Sequence, residues 1–367
     1  MQIQDRGIVY ENPKPHLRTR HAFHPSLVPL GGPNWLCAYD VGEAIESLDY
    51  RTYRSRSADG GRTWTPEGPL ITRPTARPST SSVRISRVTG GLVGFGSRAY
   101  RDNPEEGILN RANLGYAPMD LILVRSADDG HTWTAPEIIQ PPLAGPAFET
   151  CHIIVELPGG RWLAPTSTWR GWNGELPNGE KTIVLISEDQ GKSWPAYGTI
   201  FDGTAEGLTH WEVSVIHLGG DNVLAVAWVY HAASGKHRPN RFALSRNGGK
   251  TFGTPGEIGI NAQTCKGLRL KDGRILLVYR RTDKSGLWAT LASFDGATRW
   301  NLMESIPLWG GGIGSSGMTG ERCGSDELSA LKFGFPQARQ MDDGTVLMVF
   351  WCFEDWCTKI RWFRLEV

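Results

Sequence analysis

The chain has 367 residues, with 39 Lys and Arg against 38 Asp and Glu. The resulting charge of +1 excludes, at the level of composition, a nucleic-acid or anionic-membrane binder that would need a large basic excess. Forty-five glycines, roughly 12% against the usual ~7%, with 23 prolines and 15 tryptophans, point to a turn-rich chain rather than a helical one.

In chain order, a strand over Gln2–Tyr10 comes first. A hairpin around Gly31-Gly32 then leads to Ser57-Ala-Asp59-Gly-Gly61-Arg-Thr63-Trp64. A second hairpin, at Gly90-Gly91, leads to Ser126-Ala-Asp128-Asp-Gly130-His-Thr132-Trp133, and a third, at Gly159-Gly160, to Ser187-Glu-Asp189-Gln-Gly191-Lys-Ser193-Trp194. The fourth, at Gly219-Gly220, precedes a weaker copy, Ser245-Arg-Asn247-Gly-Gly249-Lys-Thr251-Phe252. The fifth, at Asp272-Gly273, precedes Ser293-Phe-Asp295-Gly-Ala-Thr298-Arg-Trp300. The last, at Asp343-Gly344, ends in 359–367 with no such segment after it. Each turn lies between alternating or apolar runs, such as 151–157 before one and 275–279 after another. In the boxed segments Asp or Asn closes a turn through side-chain to backbone hydrogen bonds, Gly takes positive φ, and the aromatic packs the turn onto its neighbour.

Each hairpin supplies two inner strands and each boxed segment two outer ones. The expectation is an all-β chain, a six-bladed β-propeller of four-stranded antiparallel sheets. It forms a single domain over 1–367, with the N-terminal strand completing the last sheet. The six cysteines read as buried thiols. No basic start with an apolar run opens the sequence, and no stretch of about 18 apolar residues occurs, so a cytoplasmic location without a membrane partner is expected.

The boxes and glycine turns share one face, so the opposite mouth is built from the starts of the inner strands and the loops between second and third strands. The strand starts carry Phe23-His24-Pro25, Arg77-Pro-Ser79-Thr-Ser81, Glu149-Thr-Cys-His152, His210-Trp211-Glu212, Gln263-Thr-Cys-Lys266 and Phe335-Pro-Gln337. The loops add Asp40, Glu43, Glu46 and Asp49, then Arg98-Ala-Tyr100-Arg101, Trp169-Arg170, Tyr230-His231, Arg280-Arg281 and Glu354-Asp355-Trp356. Carboxylates, guanidinia and tryptophans converging on one mouth suit carbohydrate chemistry. Glycosidic cleavage needs an acid for the leaving oxygen and a second group as base or nucleophile, and aromatic faces hold sugar rings.

The S-x-D-x-G-x-[TS]-W boxes in six units resemble the Asp-box repeats of the sialidase (neuraminidase) superfamily over essentially the whole chain. The resemblance implies an oligosaccharide or glycoside substrate and an exo-acting glycoside hydrolase, with Glu212 as base or nucleophile and Asp49, or next Glu46, as acid. Departures argue against an ordinary sialidase. Phe23-His24-Pro25 stands where the family has Arg-Ile-Pro, Trp228-Val229 where its second clamp arginine is expected, and Phe335 where its nucleophilic tyrosine is expected. Arg280 or Arg281 remains to hold one acidic group.

His24, His152, His210 and His231 also map to the mouth. With Tyr100 and the arginines they would suit a uronate lyase, and with Glu149 or Glu212 a divalent metal, although no cofactor is predicted. A non-catalytic propeller that binds glycans or proteins is the remaining alternative. The expected contact residues are Arg98, Tyr100, Arg101, Trp169, Arg170, Trp211, His231, Arg280, Arg281, Phe335 and Gln337. Two long connections, 101–120 with Tyr116 and 310–334 with Arg322, Asp326 and Glu327, read as walls of the pocket.

Overall fold

The computed structural model describes residues 1–72, 76–310 and 331–367. Cys323, Arg322, Asp326 and Glu327 therefore lie outside the described residues. Apart from one 3-10 turn at Ala232–Ser234, the described elements are strands, and no described helix is long and apolar enough to cross a membrane.

The strands form six successive antiparallel units. The first unit is β2 (His21–Gly31), β3 (Asn34–Gly42), β4 (Arg51–Ser57) and β5 (Thr65–Pro69), which follow β1 (Gln2–Tyr10). The second is β6 (Ser79–Val88), β7 (Gly91–Tyr100), β8 (Met119–Ser126) and β9 (Glu137–Ile139). In the third, the first strand is split into β10 (Ala147–Glu149) and β11 (Val155–Glu156), both paired with β12 (Trp162–Trp169), and β13 (Lys181–Ser187) and β14 (Ala196–Asp202) follow. The fourth is β15 (Leu208–Gly219), β16 (Asn222–His231), β17 (Lys236–Ser245) and β18 (Gly256–Glu257). The fifth is β19 (Ala262–Arg269), β20 (Ile275–Arg281), β21 (Leu287–Phe294) and β22 (Trp300–Trp309). The sixth is β23 (Phe333–Gln340), β24 (Val346–Glu354) and β25 (Cys357–Glu366), and β1 pairs antiparallel with β25, from Gln2 opposite Glu366 to Tyr10 opposite Ile360. One parallel bridge, Arg51 to Ser81, links the first two units into a single hydrogen-bonded sheet.

The cores lie between units rather than within them. Along β3, Trp35, Cys37 and Tyr39 face a cluster shared with Phe335, Val349 and Trp351 of the sixth unit, whereas Leu36 and Ala38 face one shared with Val83 and Ile122 of the second. Both faces of the sheet are thus covered, which is why inner strands read as continuous apolar runs instead of alternating ones. The first strands also touch, β2 packing against both β6 and β23, and β19 against β15 and β23.

The boxes act as turn closures. The Asp59 carboxylate accepts from the backbone N–H of Arg62 and Thr63 at 3.0 and 2.9 Å and from Thr63 Oγ1 at 2.6 Å, and the indole of Trp64 donates to Gly61 O at 2.9 Å. Asp128 and Asp189 repeat the carboxylate contacts, Trp133 repeats the indole contact whereas Trp194 does not, and Asn247 substitutes for Asp in the fourth copy. Gly61, at φ +82°, cannot be replaced cheaply, since a Cβ there would stand 2.6 Å from Leu347 Cδ2.

Candidate functional site

Four inner strands share one irregularity. The register slips between Phe23 and Ser26, Trp211 and Ser214, Gln263 and Lys266, and Gly334 and Gln337. Within these slips His24, Glu212, Thr264 and Phe335 take φ of 47°, 51°, 50° and 51°. A bulge inserts a residue and re-aims its side chain. Holding a non-glycine residue in left-handed backbone costs about 1–3 kcal/mol and persists only where surrounding structure enforces it. His24 and Phe335 thereby face a cavity of about 170 Å³, whose lining also includes Glu46, Tyr50, Arg84 and Glu149. This is below the ~300–1,000 Å³ of pockets that hold drug-sized ligands.

One side of the cavity is organised by a fully buried Asp40. Its Oδ1 accepts from Thr52 Oγ1 at 2.6 Å, and its Oδ2 accepts from Ser82 Oγ at 2.7 Å, Arg84 Nη2 at 2.7 Å and Tyr50 OH at 3.3 Å. Burial pushes the carboxyl up, but the Arg84 charge and the hydrogen bonds outweigh it and hold Asp40 at about 2. His24 Nδ1 lies 2.8 Å from Tyr50 OH and 3.6 Å from Asp40 Oδ2. Desolvation keeps the His24 ring below its ordinary value, and burial raises Tyr50, so both are neutral at neutral pH.

On the other side, Glu149 is buried and its Oε1 has no hydrogen-bond partner. Burial raises its carboxyl to about 7, against the hydrogen bond from Cys151, with the charge of Glu212 adding to the rise and Lys266 opposing it. The Glu212 carboxylate is fixed by Trp228 Nε1 at 2.6 Å and Thr264 N at 3.0 Å. Lys266 donates to the carbonyls of Cys151 at 2.8 Å and Glu212 at 3.3 Å, and its ammonium lies 4.8 Å from the Phe335 ring centre, with the Arg84 guanidinium at 5.2 Å. Phe335 thus separates two cations. Beside this group Trp211 packs on Trp169 at 4.4 Å and Trp228 at 5.6 Å, an aromatic ledge.

The sequence profile of a family described as a BNR repeat-like domain matches residues 108–348. The chain belongs to this family. No curated protein matches it. Among solved structures, this BNR-repeat chain is similar over 100% of its length to 99% of a protein of unknown function from Dyadobacter fermentans, at 21% identity and a TM-score of 0.74. It is also similar to the NanB sialidase of Streptococcus pneumoniae, at 11% identity and TM-score 0.66, covering 98% of this chain and 70% of that one. The intramolecular trans-sialidase from Ruminococcus gnavus matches at 12% identity and TM-score 0.64, covering 95% and 94%. At such identities the likeness is one of fold, and the chain is a sialidase-like BNR-repeat protein.

Of the residues expected at the mouth of this BNR-repeat chain, His24, Glu46, Glu149 and Phe335 line the cavity, and Glu212 stands beside Glu149. Asp49 does not. Its carboxylate closes its own loop on Ser47 Oγ at 2.6 Å and Glu43 N at 3.0 Å and pairs with Arg20 at 3.2 Å. Glu46 holds Ile108 N at 2.8 Å. Asp40, expected in a loop, is the buried end of β3.

The four histidines do not converge. His152 is buried with Nε2 at 3.2 Å from Val215 O, and desolvation keeps its pKa well below the ordinary value. His210 stacks on Phe201 at 4.7 Å and burial lowers it to about 4, while His231 pairs with Ser234 at 2.8 Å on the surface. Among the described residues no three His, Cys, Asp or Glu side chains are grouped to hold a metal.

The remaining expected contacts mostly brace loops. Tyr100 donates to Asp120 at 2.5 Å, Arg98 to Ser81 at 3.4 Å, and Arg101 to the carbonyls of Glu46 and Glu106. Trp169 donates to Leu114 O at 2.6 Å, Arg170 pairs with Glu180, and Arg281 pairs with Asp283 at 2.5 Å. Arg280 donates to Gln263 Oε1 at 2.8 Å and Phe333 O at 3.0 Å, and Gln337 is buried in β23. Sequence reasoning missed Tyr50, Arg84 and Ser82, and placed Lys266 at a strand start of the mouth without a role. The one available signal was an Arg or Lys inside an apolar strand, Val83-Arg84-Ile85 and Cys265-Lys266, which demands a buried partner.

A larger groove of about 710 Å³ opens on the turn side between the first and sixth units. On its wall Arg364 donates to Gly60 O at 2.8 Å.

Proposed function

We propose that the six units close as six blades of one propeller spanning 1–367, and that the cavity between their first strands is the active site of an exo-acting glycoside hydrolase, though not an ordinary sialidase. The packing of β2 against both β6 and β23 supports closure. The sialidase and trans-sialidase of similar fold support a glycoside substrate.

The observation that carries the reading is Glu149, a buried carboxyl raised to about 7 with one oxygen unpartnered, facing a cavity beside Glu212. A carboxyl poised there is protonated in a large fraction of molecules at neutral pH and suits the general acid that protonates the departing glycosidic oxygen. Glu212, gripped by an indole and a backbone N–H, acts as base or nucleophile from a fixed position. Glu149 therefore takes the role that the resemblance assigned to Asp49 or Glu46. The open part of Trp211, backed by the buried Trp169 and Trp228, stacks the sugar face.

The test is turnover of aryl glycosides by wild type, Glu149→Gln and Glu212→Gln. The first variant should lose about 10²–10⁴ in rate on poor leaving groups and recover on activated ones, whereas the second should lose on both. Equal losses on both leaving groups for Glu149→Gln would sink its acid role.

A further inference from the structure

Among the described residues, the cavity offers little available positive charge. Its charged lining among them is Glu46, Glu149 and Arg84, and behind these stand Asp40 on Arg84, Glu212 near Glu149, and Lys266 against Phe335. Both terminal nitrogens of Arg84 are engaged, Nη2 by Asp40 at 2.7 Å and Ser82 Oγ at 2.8 Å and Nη1 by Val83 O at 3.0 Å, which leaves only its Nε without a partner and its plane against the Phe335 ring. Lys266 is turned onto two carbonyls and the Phe335 face. The guanidinia of Arg280 and Arg281 are held by Gln263 and Phe333 O and by Asp283. Among the described residues no planar fork is presented to a carboxylate, the geometry that bidentate capture needs.

His24 supplies the opposite recognition. Tyr50 OH donates to Asp40 Oδ2, so its oxygen accepts from Nδ1–H of His24 at 2.8 Å. This network assigns the tautomer and leaves Nε2 as a lone-pair acceptor on a ring that lines the cavity. A hydroxyl donates to such an atom, and a carboxylate is repelled by it. We infer that the cavity selects a glycone without negative charge, a neutral hydroxylated ring with one hydroxyl donating to His24, and that it excludes carboxylated sugars. This rests on the glycoside reading above and adds its substrate class.

The experiment is calorimetric binding of matched pairs to the wild-type chain: methyl galactoside against methyl galacturonide, methyl glucoside against methyl glucuronide, and the methyl glycoside of N-acetylneuraminic acid. At least one neutral member should bind about tenfold or more tighter than its carboxylated counterpart and than the sialoside, reflecting like-charge juxtaposition. His24→Arg should narrow or reverse that ratio. Equal or tighter binding of any carboxylated member by wild type overturns the inference, as does binding of none of the five. A neutral glycoside that binds in this ratio without being turned over supports the inference while defeating the hydrolase reading.

Discussion

The guanidinium of Arg84 on β6 and the carboxylate of Asp40 on β3 meet at 2.7 Å, both almost wholly out of water, and so tie the second unit to the first beneath the cavity. Removing one partner of such a pair leaves an uncompensated buried charge and typically costs about 3–5 kcal/mol. Arg84→Met should therefore lower stability by that order in denaturant titration. The double replacement Arg84→Met with Asp40→Leu should recover part of the loss, and equal instability of the single and double variants would argue against pairing as the cause.

Glu149 makes a signed prediction about pH. Its carboxyl titrates near 7 in the folded chain against an ordinary 4.5, so the folded state holds an extra proton between those values. Stability should fall as pH rises through that window, because the unfolded state binds fewer protons there. Glu149→Gln should flatten this slope in unfolding measurements from pH 4.5 to 7. In kinetics, the alkaline limb of kcat/KM should lie near 7 and disappear in the variant.

Lys266 opposes the rise at Glu149, so removing its charge should move the alkaline limb upward. A Lys266→Met profile displaced toward lower pH would contradict the electrostatic arrangement described here. The Phe335 ring would lose one of its two flanking cations, and the Arg84 contact should persist.

Trp211 lies between Trp169 and Trp228 and keeps part of its surface open. Aromatic contacts of this kind contribute about 0.5–1.5 kcal/mol each. Trp211→Ala should raise KM several-fold with little change in kcat. A fall in kcat with unchanged KM would assign the residue to positioning Glu212 rather than to holding sugar.

The repeat was legible because its information is local: Ser57 to Trp64 closes a turn within eight consecutive residues, and each glycine turn announces its hairpin. Glu149, Glu212, His24 and Phe335 were legible for a related reason, since the start of an inner strand is a fixed place in each unit. Arg84 and Asp40 were not, as their pairing spans 44 positions and two units, and a charge inside a strand declares that it needs a partner without saying which. Asp49 misled because the resemblance places an acid in the loop 40–49 without saying which carboxylate turns inward, and Asp49 satisfies its own loop. His210 misled because a strand start presents one residue to the cavity and the next to a neighbouring sheet, and the bulge that decides between them is invisible in composition. His152 sits in the break between β10 and β11 and turns to Val215 O.

The antiparallel pairing of β1 with β25, which brings Gln2 opposite Glu366, makes the point at which the polypeptide is opened separable from its strand pairing. Joining 367 to 1 through a short linker and cutting within 11–20, where no strand lies, would give a circular permutant that keeps every ladder and turns a contact between distant parts of the sequence into a local hairpin. In that molecule the last sheet would form from consecutive strands, as the others do, so its assembly would no longer wait for the whole chain.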